Sequence, residues 1–219
     1  VVLALQYAVI HSLLLAPSVR KRLTRWIPKP LYGCFFCVST CVTLLLTFAC
    51  WSSSGPVLYV ATGWPRTLIT MCFSLSWVAL FYSLALSGIG YQTGLTPWWY
   101  WLRRRPLPPR GFQERGAYRL FRHPIYLSFL GLIWFTPRMT LDHALLTGLW
   151  TAYIFIGSVL KDERLAFYLG ETYRDYQRRV RGYPLVFWGP LGRRFDQTPV
   201  SGSRSAEAAA DHAPQRQAA

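Results

Sequence analysis

The sequence predicts an all-α integral membrane protein of about five transmembrane helices, N-terminus outside and C-terminus inside, with a helical hairpin and a C-terminal interfacial amphipathic helix. Three observations predict it. Hydrophobic residues make up 52% of the 219 residues and charged ones only 15%, a balance foreign to a soluble domain of this length. The apolar residues gather into stretches that approach the ~20 residues needed to cross a hydrocarbon core of roughly 30 Å. The charge, 24 Lys and Arg against 9 Asp and Glu for a net +15, lies in blocks between those stretches. A basic nucleic-acid binder would need a polar, foldable domain to carry such charge. None stands between the apolar segments, so no nucleic-acid partner is expected, and nothing calls for an obligate protein partner.

The five expected spans cover residues 1–16, 31–51, 67–86, 120–135 and 144–160. The first begins without methionine and is expected to be longer in the native chain. It has neither the basic leader nor the small-residue cleavage site of a secretory signal. The first loop carries Arg20, Lys21, Arg22, Arg25 and Lys29, and the third carries Arg103, Arg104, Arg105, Arg110 and Arg115. The second and fourth have one basic residue each, Arg66 and Arg138, and the segment after residue 160 is Arg-rich. Five spans put every basic block on one side, which the positive-inside rule makes the inner one.

Residues 1–194 form one expected membrane domain: three N-terminal spans over 1–86, an interfacial loop over 87–117, and a hairpin with its C-terminal helix over 118–183. In the loop, "TPWWYWLRRRPLPPR" sets aromatic rings beside arginines, as at headgroup depth. It is either a surface anchor or a wall over a site on the inner face. From about residue 195 the chain is Ser, Ala, Gln and Pro with scattered charge, a composition that predicts a disordered tail. Cys34, Cys37 and Cys41 share one helical face, without the second ligand cluster of a zinc site, and are read as small packing residues. No metal is expected.

Ionisable side chains at membrane depth are costly and so are functional candidates. His11, in "VIHSLLL", is the one well inside the first three spans. In "YRLFRHPIYLSFLGLIWF", Pro124 suits the first position of a helix, where its missing N–H costs nothing. That makes His123 the N-cap, with Arg122 reinforcing a positive helix end. The fifth span ends in "LKDERLAFYLG". A hairpin returns Asp162 and Glu163 to the height of Arg122 and His123, a pairing of charges suited to a zwitterion such as an amino-acid head. The alternative is a set of interfacial salt bridges that fix the hairpin. Gly170 should stop the fifth helix. Beyond it Tyr173, Tyr176 and Val180 share a face opposite Arg174, Arg178 and Arg181, an amphipathic helix on the inner surface. Its tyrosines either anchor in lipid or pack over whatever the hairpin binds.

"RHPIY", then "DERL", then "LGETYRDYQRRV" resembles the Arg-His-Pro-x-Tyr, acidic-pair and Gly-x-x-Tyr-x-x-Tyr pattern of the isoprenylcysteine carboxyl methyltransferase superfamily. "HSLLLAP", "WFTPRMTLDHALL" and "TAYIFIG" are most similar to its group of methanethiol S-methyltransferases, nurims and NnrU-like membrane proteins. The resemblance covers roughly residues 5–183. It implies S-adenosyl-L-methionine as cofactor, in a pocket open to the cytosol, with the acceptor entering from the bilayer. His123, Pro124 and Tyr126 would line that pocket, Glu163 and Arg164 would hold the methionine head, and Tyr173 and Tyr176 would close over it. Asp162-Glu163 stands where the family usually has two glutamates. Ser128 replaces the glycine after Arg-His-Pro-x-Tyr, with Gly131 three residues on.

The implied function is methylation of a small thiol such as methanethiol to dimethyl sulfide, in a multi-pass protein of a bacterial inner membrane. The alternatives are an isoprenylcysteine carboxylate or lipid-amine acceptor, and a non-catalytic nurim-like protein. A thiol of pKa about 8.5 is mostly protonated at neutral pH. The cofactor's sulfonium charge and Arg122 would stabilise the thiolate, and His11, if it faces the bundle interior, would take the proton; the alternative for His11 is a hydrogen bond across helices.

Overall fold

The structure, a computed structural model, describes residues 2–52, 55–109 and 112–194. The expected tail from 195 and Arg110 fall outside them. α1 (Val2–Leu15) meets α2 (Pro17–Leu23) at a 73° bend. Pro17 opens α2 and turns Arg20, Lys21 and Arg22 away from the axis of α1. A 3-10 turn (Lys29–Leu31) leads into α3 (Tyr32–Ala49). Strand β1 (Val57–Val60) precedes α4 (Gly63–Ser87), which is followed by the short helices α5 (Ile89–Gln92) and α6 (Leu95–Leu102). A second 3-10 turn (Gly116–Arg119) leads to α7 (Pro124–Trp134), β2 (Arg138–Thr140), α8 (Leu141–Leu169) and α9 (Glu171–Arg179).

Among the described residues, three helical stretches are long and apolar enough to cross a membrane: Lys29–Ala49, Gly63–Ser87 and Leu141–Leu169. The bent pair α1 and α2 makes a fourth. This is an all-α, multi-pass membrane protein. The expected span at 120–135 is shorter as a helix, because Phe121 bridges Arg181 in extended conformation and Pro124 starts α7. Its 11 residues rise only about 16 Å. α8 runs the other way, continuing nine residues past the expected end at 160 as one helix to Leu169. Gly170, at φ +57, ends it as the sequence predicts.

The interior is polar where a soluble core would be apolar. Thr47, Ser83, Thr147 and Ser158 are fully buried, while Leu45, Leu75, Phe81, Ile156 and Leu160 are 59–66% exposed. Lipid takes the leucines, and small hydroxyl residues let helices approach and bond one another. Gln6 on α1 donates to the Thr43 carbonyl at 2.8 Å and to Thr47 Oγ1 at 2.9 Å on α3. Trp134 Nε1 donates to Thr151 Oγ1, and Thr147 donates to the Ile133 carbonyl, closing the hairpin of α7 and α8. A Cβ on Gly131 would stand 2.1 Å from Ser76 Oγ. Gly131 therefore serves the close packing of α7 on α4. Ser128, where the resembling family has glycine, is buried and donates to the Pro124 carbonyl.

Two strands were not expected from the sequence. β1 and β2 pair antiparallel, Val57 with Thr140 and Val60 with Arg138, and tie the hairpin turn to the link between α3 and α4. The two bonds flanking the ribbon run from Ala61 N–H to the Pro137 carbonyl and from Leu141 N–H to the Pro56 carbonyl.

Candidate functional site

Asp162, on α8 and wholly buried, is the hub at the inner end of the hairpin. Its Oδ2 accepts from Arg122 Nε and Nη2, each at 2.9 Å. Its Oδ1 accepts from the Tyr173 hydroxyl and lies 3.1 Å from His123 Nε2. The Arg122 side chain is equally buried, and it also donates through Nη1 to the carbonyls of Gln177, Val180 and Gly192 and through Nη2 to that of Pro190. A buried ion pair holds only where its remaining hydrogens are satisfied, because taking each ion from water costs several kcal/mol. Here four main-chain oxygens meet that need.

This geometry moves Arg122 from the catalytic set expected of it to the scaffold, since no hydrogen is left for a thiolate. It also shows which acid faces Arg122 and His123. That acid is Asp162, while Glu163 and Arg164 are exposed.

His123 caps α7 and Pro124 is its first residue, as the sequence predicts. The imidazole, 1% exposed, is stacked on the Tyr126 ring with centroids 5.5 Å apart and tilted against Tyr183 at 5.6 Å. Tyr183 packs on Phe155 and bonds Ser158. The Nδ1 of His123 has no hydrogen-bond partner, and Nε2 is near Asp162 without hydrogen-bond alignment. Gln177 Nε2, also buried, lacks a partner. Buried polar atoms without partners are uncommon, which makes these two candidates to bond polar atoms of a ligand. Lys161, half-buried, sets its ammonium 4.9 Å from the Tyr126 ring centroid.

Tyr173 and Tyr176 are 2% and 1% exposed. They pack with Val180 on Leu165, Ala166 and Leu169 of α8 and against Phe112, and the Tyr176 hydroxyl donates to the Tyr118 carbonyl. Of the two readings of these tyrosines, lipid anchor or inward packing, the structure has the second. Phe112 makes the segment before α7 a wall of this cluster, held by Arg179 paired with Glu114 at 2.6 Å. Burial raises the tyrosine pKa values, and Asp162 raises Tyr173 further, so its hydroxyl stays a donor.

His11 lies elsewhere in the fold, on α1. Its Nδ1 is 2.7 Å from the Tyr153 hydroxyl of α8, which also meets Ser12 Oγ at 3.0 Å. The ring stacks on Tyr7 and packs on Phe36.

Burial holds the His123 pKa below its ordinary 6.5, against the opposing pull of Asp162. The folded state then binds fewer protons than the unfolded chain just below that value, so stability is complete above pH ~6.5 and falls as pH drops through it. Thermal melting in detergent should show this loss setting in as pH falls below about 6.5. His123→Asn should flatten it, and an unchanged slope would sink the assignment.

No family model matches the chain, and no solved structure does. Among curated proteins, a methanethiol S-methyltransferase of a Pseudomonas species is 33% identical over 180 residues, covering 80% of this chain and 67% of the relative. The methanethiol S-methyltransferase of Mycobacterium tuberculosis is 30% identical over 80% of this chain and 72% of its own length. The chain belongs to the methanethiol S-methyltransferase family. One such relative from Bradyrhizobium diazoefficiens, 30% identical, is matched over 61% of its length, so the chain spans about two thirds of these proteins. Rat nurim is 27% identical over 80% of this chain, placing it with the methanethiol S-methyltransferases in sequence.

Three residues around the hub, Lys161, Gln177 and Tyr183, and Tyr153 beside His11, are not among the candidates the sequence offers. Lys161 and Tyr183 adjoin motifs that were read, "DERL" and "RRVRG", and their proximity was the available signal. Tyr153 lies in "TAYIFIG", an apolar stretch whose pattern does not show that its hydroxyl meets His11 and Ser12.

Proposed function

We propose that the protein is a membrane-embedded S-methyltransferase that uses S-adenosyl-L-methionine to methylate a small thiol, methanethiol first, releasing dimethyl sulfide. Membership of the family supports the chemistry, and the observation that carries the site is the partnerless Nδ1 of a buried His123 set against two tyrosine rings. Those atoms fit the cofactor. His123 Nδ1 and Gln177 Nε2 offer hydrogen bonds, Tyr126 and Tyr183 offer ring faces, and Pro124 fixes the start of the helix that bears them. Glu163 and Arg164, without partners among the described residues, supply opposite charges for an amino-acid head. Bound there, the cofactor supplies an electrophilic methyl on a sulfonium, so the protein's task is orientation and exclusion of water.

Tyr173 and Tyr176 close over the site, and Tyr173, bonded to Asp162, helps fix the carboxylate beside His123. His11 takes the thiol proton at Nε2, with Tyr153 accepting from Nδ1–H and Ser12 steadying the hydroxyl. On this reading the chain crosses the inner membrane of a bacterium, with α7 as the short return leg of the hairpin and the site facing the cytoplasm.

Calorimetric titration of S-adenosylhomocysteine into detergent-purified protein, with headspace chromatography of dimethyl sulfide from methanethiol, tests it. Binding together with product formation is the expected result. A well-folded protein that binds nothing would leave the nurim-like reading, for which the similarity to rat nurim speaks.

A further inference from the structure

Lys161 is an uncommitted cation in a site whose other buried charges are all accounted for. Asp162 is its neighbour in sequence, yet both Asp162 oxygens are taken, Oδ2 by Arg122 and Oδ1 by Tyr173 with His123 alongside. Among the described residues no carboxylate lies within ion-pair distance of Lys161 Nζ, which sits 4.9 Å from the centroid of the Tyr126 ring and feels Asp162 only at longer range, with Arg164 opposing it. A cation over an aromatic face gains about 0.5–2 kcal/mol, less than a half-buried ammonium loses by giving up water. Something more should compensate it. Tyr126 also carries the stacked His123, whose Nδ1 is without a partner at 1% exposure. The partnerless imidazole and the partnerless ammonium thus flank one ring, between α7 and α8.

We propose that Lys161 Nζ is the anion-holding group of this site, taking a small-molecule anion across Tyr126. The anion is either the acceptor thiolate or the carboxylate of the cofactor's amino-acid head. The inference rests on the methyltransferase reading and deepens it, assigning to Lys161 the charge stabilisation that Arg122 cannot give. A thiolate or a carboxylate held there would lie beside the ring that carries His123.

The test compares the native protein with Lys161→Met, which keeps the stem, and Lys161→Arg, which keeps the charge. Each is titrated with S-adenosylhomocysteine and with methylthioadenosine, which lacks the carboxylate. The ultraviolet thiolate band of methanethiol is then read in the S-adenosylhomocysteine complex. If the anion is the carboxylate, Lys161→Met weakens S-adenosylhomocysteine roughly 10- to 100-fold and leaves methylthioadenosine unchanged. If it is the thiolate, S-adenosylhomocysteine binds as in the native protein and the thiolate band disappears. Lys161→Arg retains native behaviour in either case. Equal losses for both nucleosides would make Lys161 structural and overturn the proposal, as would a Lys161→Met variant that matches the native protein throughout. A native protein that binds neither nucleoside and shows no thiolate band would overturn the methyltransferase reading and this assignment together.

Discussion

Asp162→Ala should cost about 3–5 kcal/mol and lower the thermal midpoint in detergent by roughly 10 °C. The loss comes from what is left behind. Arg122, its side chain wholly buried, would keep a guanidinium with four carbonyl contacts and no counter-charge. Tyr173 would lose the acceptor for its hydroxyl. The damage should reach α9 and the segment behind it first, since Arg122 joins α8 to the carbonyls of residues 177, 180, 190 and 192. Limited proteolysis between 170 and 194 should therefore rise before global unfolding. Replacing both partners, Arg122→Met with Asp162→Leu, should recover much of the loss, because a buried pair contributes little beyond an apolar pair of similar volume. An Asp162→Ala protein that melts within about 1 kcal/mol of the native one would show that Asp162 is not the hub.

The hub also shows what could be read without coordinates. Pro124 and His123 at the start of α7, and Gly170 at the end of α8, follow from local backbone rules and hold in the structure. That Arg122 and His123 meet an acid of the "DER" stretch follows from the hairpin. Which acid they meet does not. Asp162 and Glu163 are adjacent on a helix and so point about 100° apart, and only the packing of α8 on α7 and α9 decides between them. The C-terminal wrap was illegible for a different reason. Arg122 is satisfied by main-chain oxygens of Gln177, Val180, Pro190 and Gly192, and every residue type has a carbonyl, so no side-chain pattern announces it. The strands β1 and β2 are four and three residues long, too short for an alternation to stand out in an apolar background. The inward turn of Tyr173 and Tyr176 hinged on Phe112, whose approach from a loop leaves no periodicity to detect.

His123→Phe should separate binding from stability. A neutral buried imidazole whose Nδ1 has no partner costs the folded state desolvation without a compensating bond. Phenylalanine would keep contact with the rings of Tyr126 and Tyr183, while Asp162 retains Arg122 and Tyr173. The melting temperature should therefore stay within about 1 kcal/mol of the native value, or rise. Binding of S-adenosylhomocysteine should fall by roughly 2–3 kcal/mol, about 30- to 150-fold, from the lost hydrogen bond and the polar ligand atom it strands. A residue kept for packing would show the reverse, loss of melting temperature with binding intact. A group that destabilises its own fold beside the fully bonded Arg122, Asp162 and Tyr173 is best explained by what it binds, and His123 is where that explanation is most exposed to refutation.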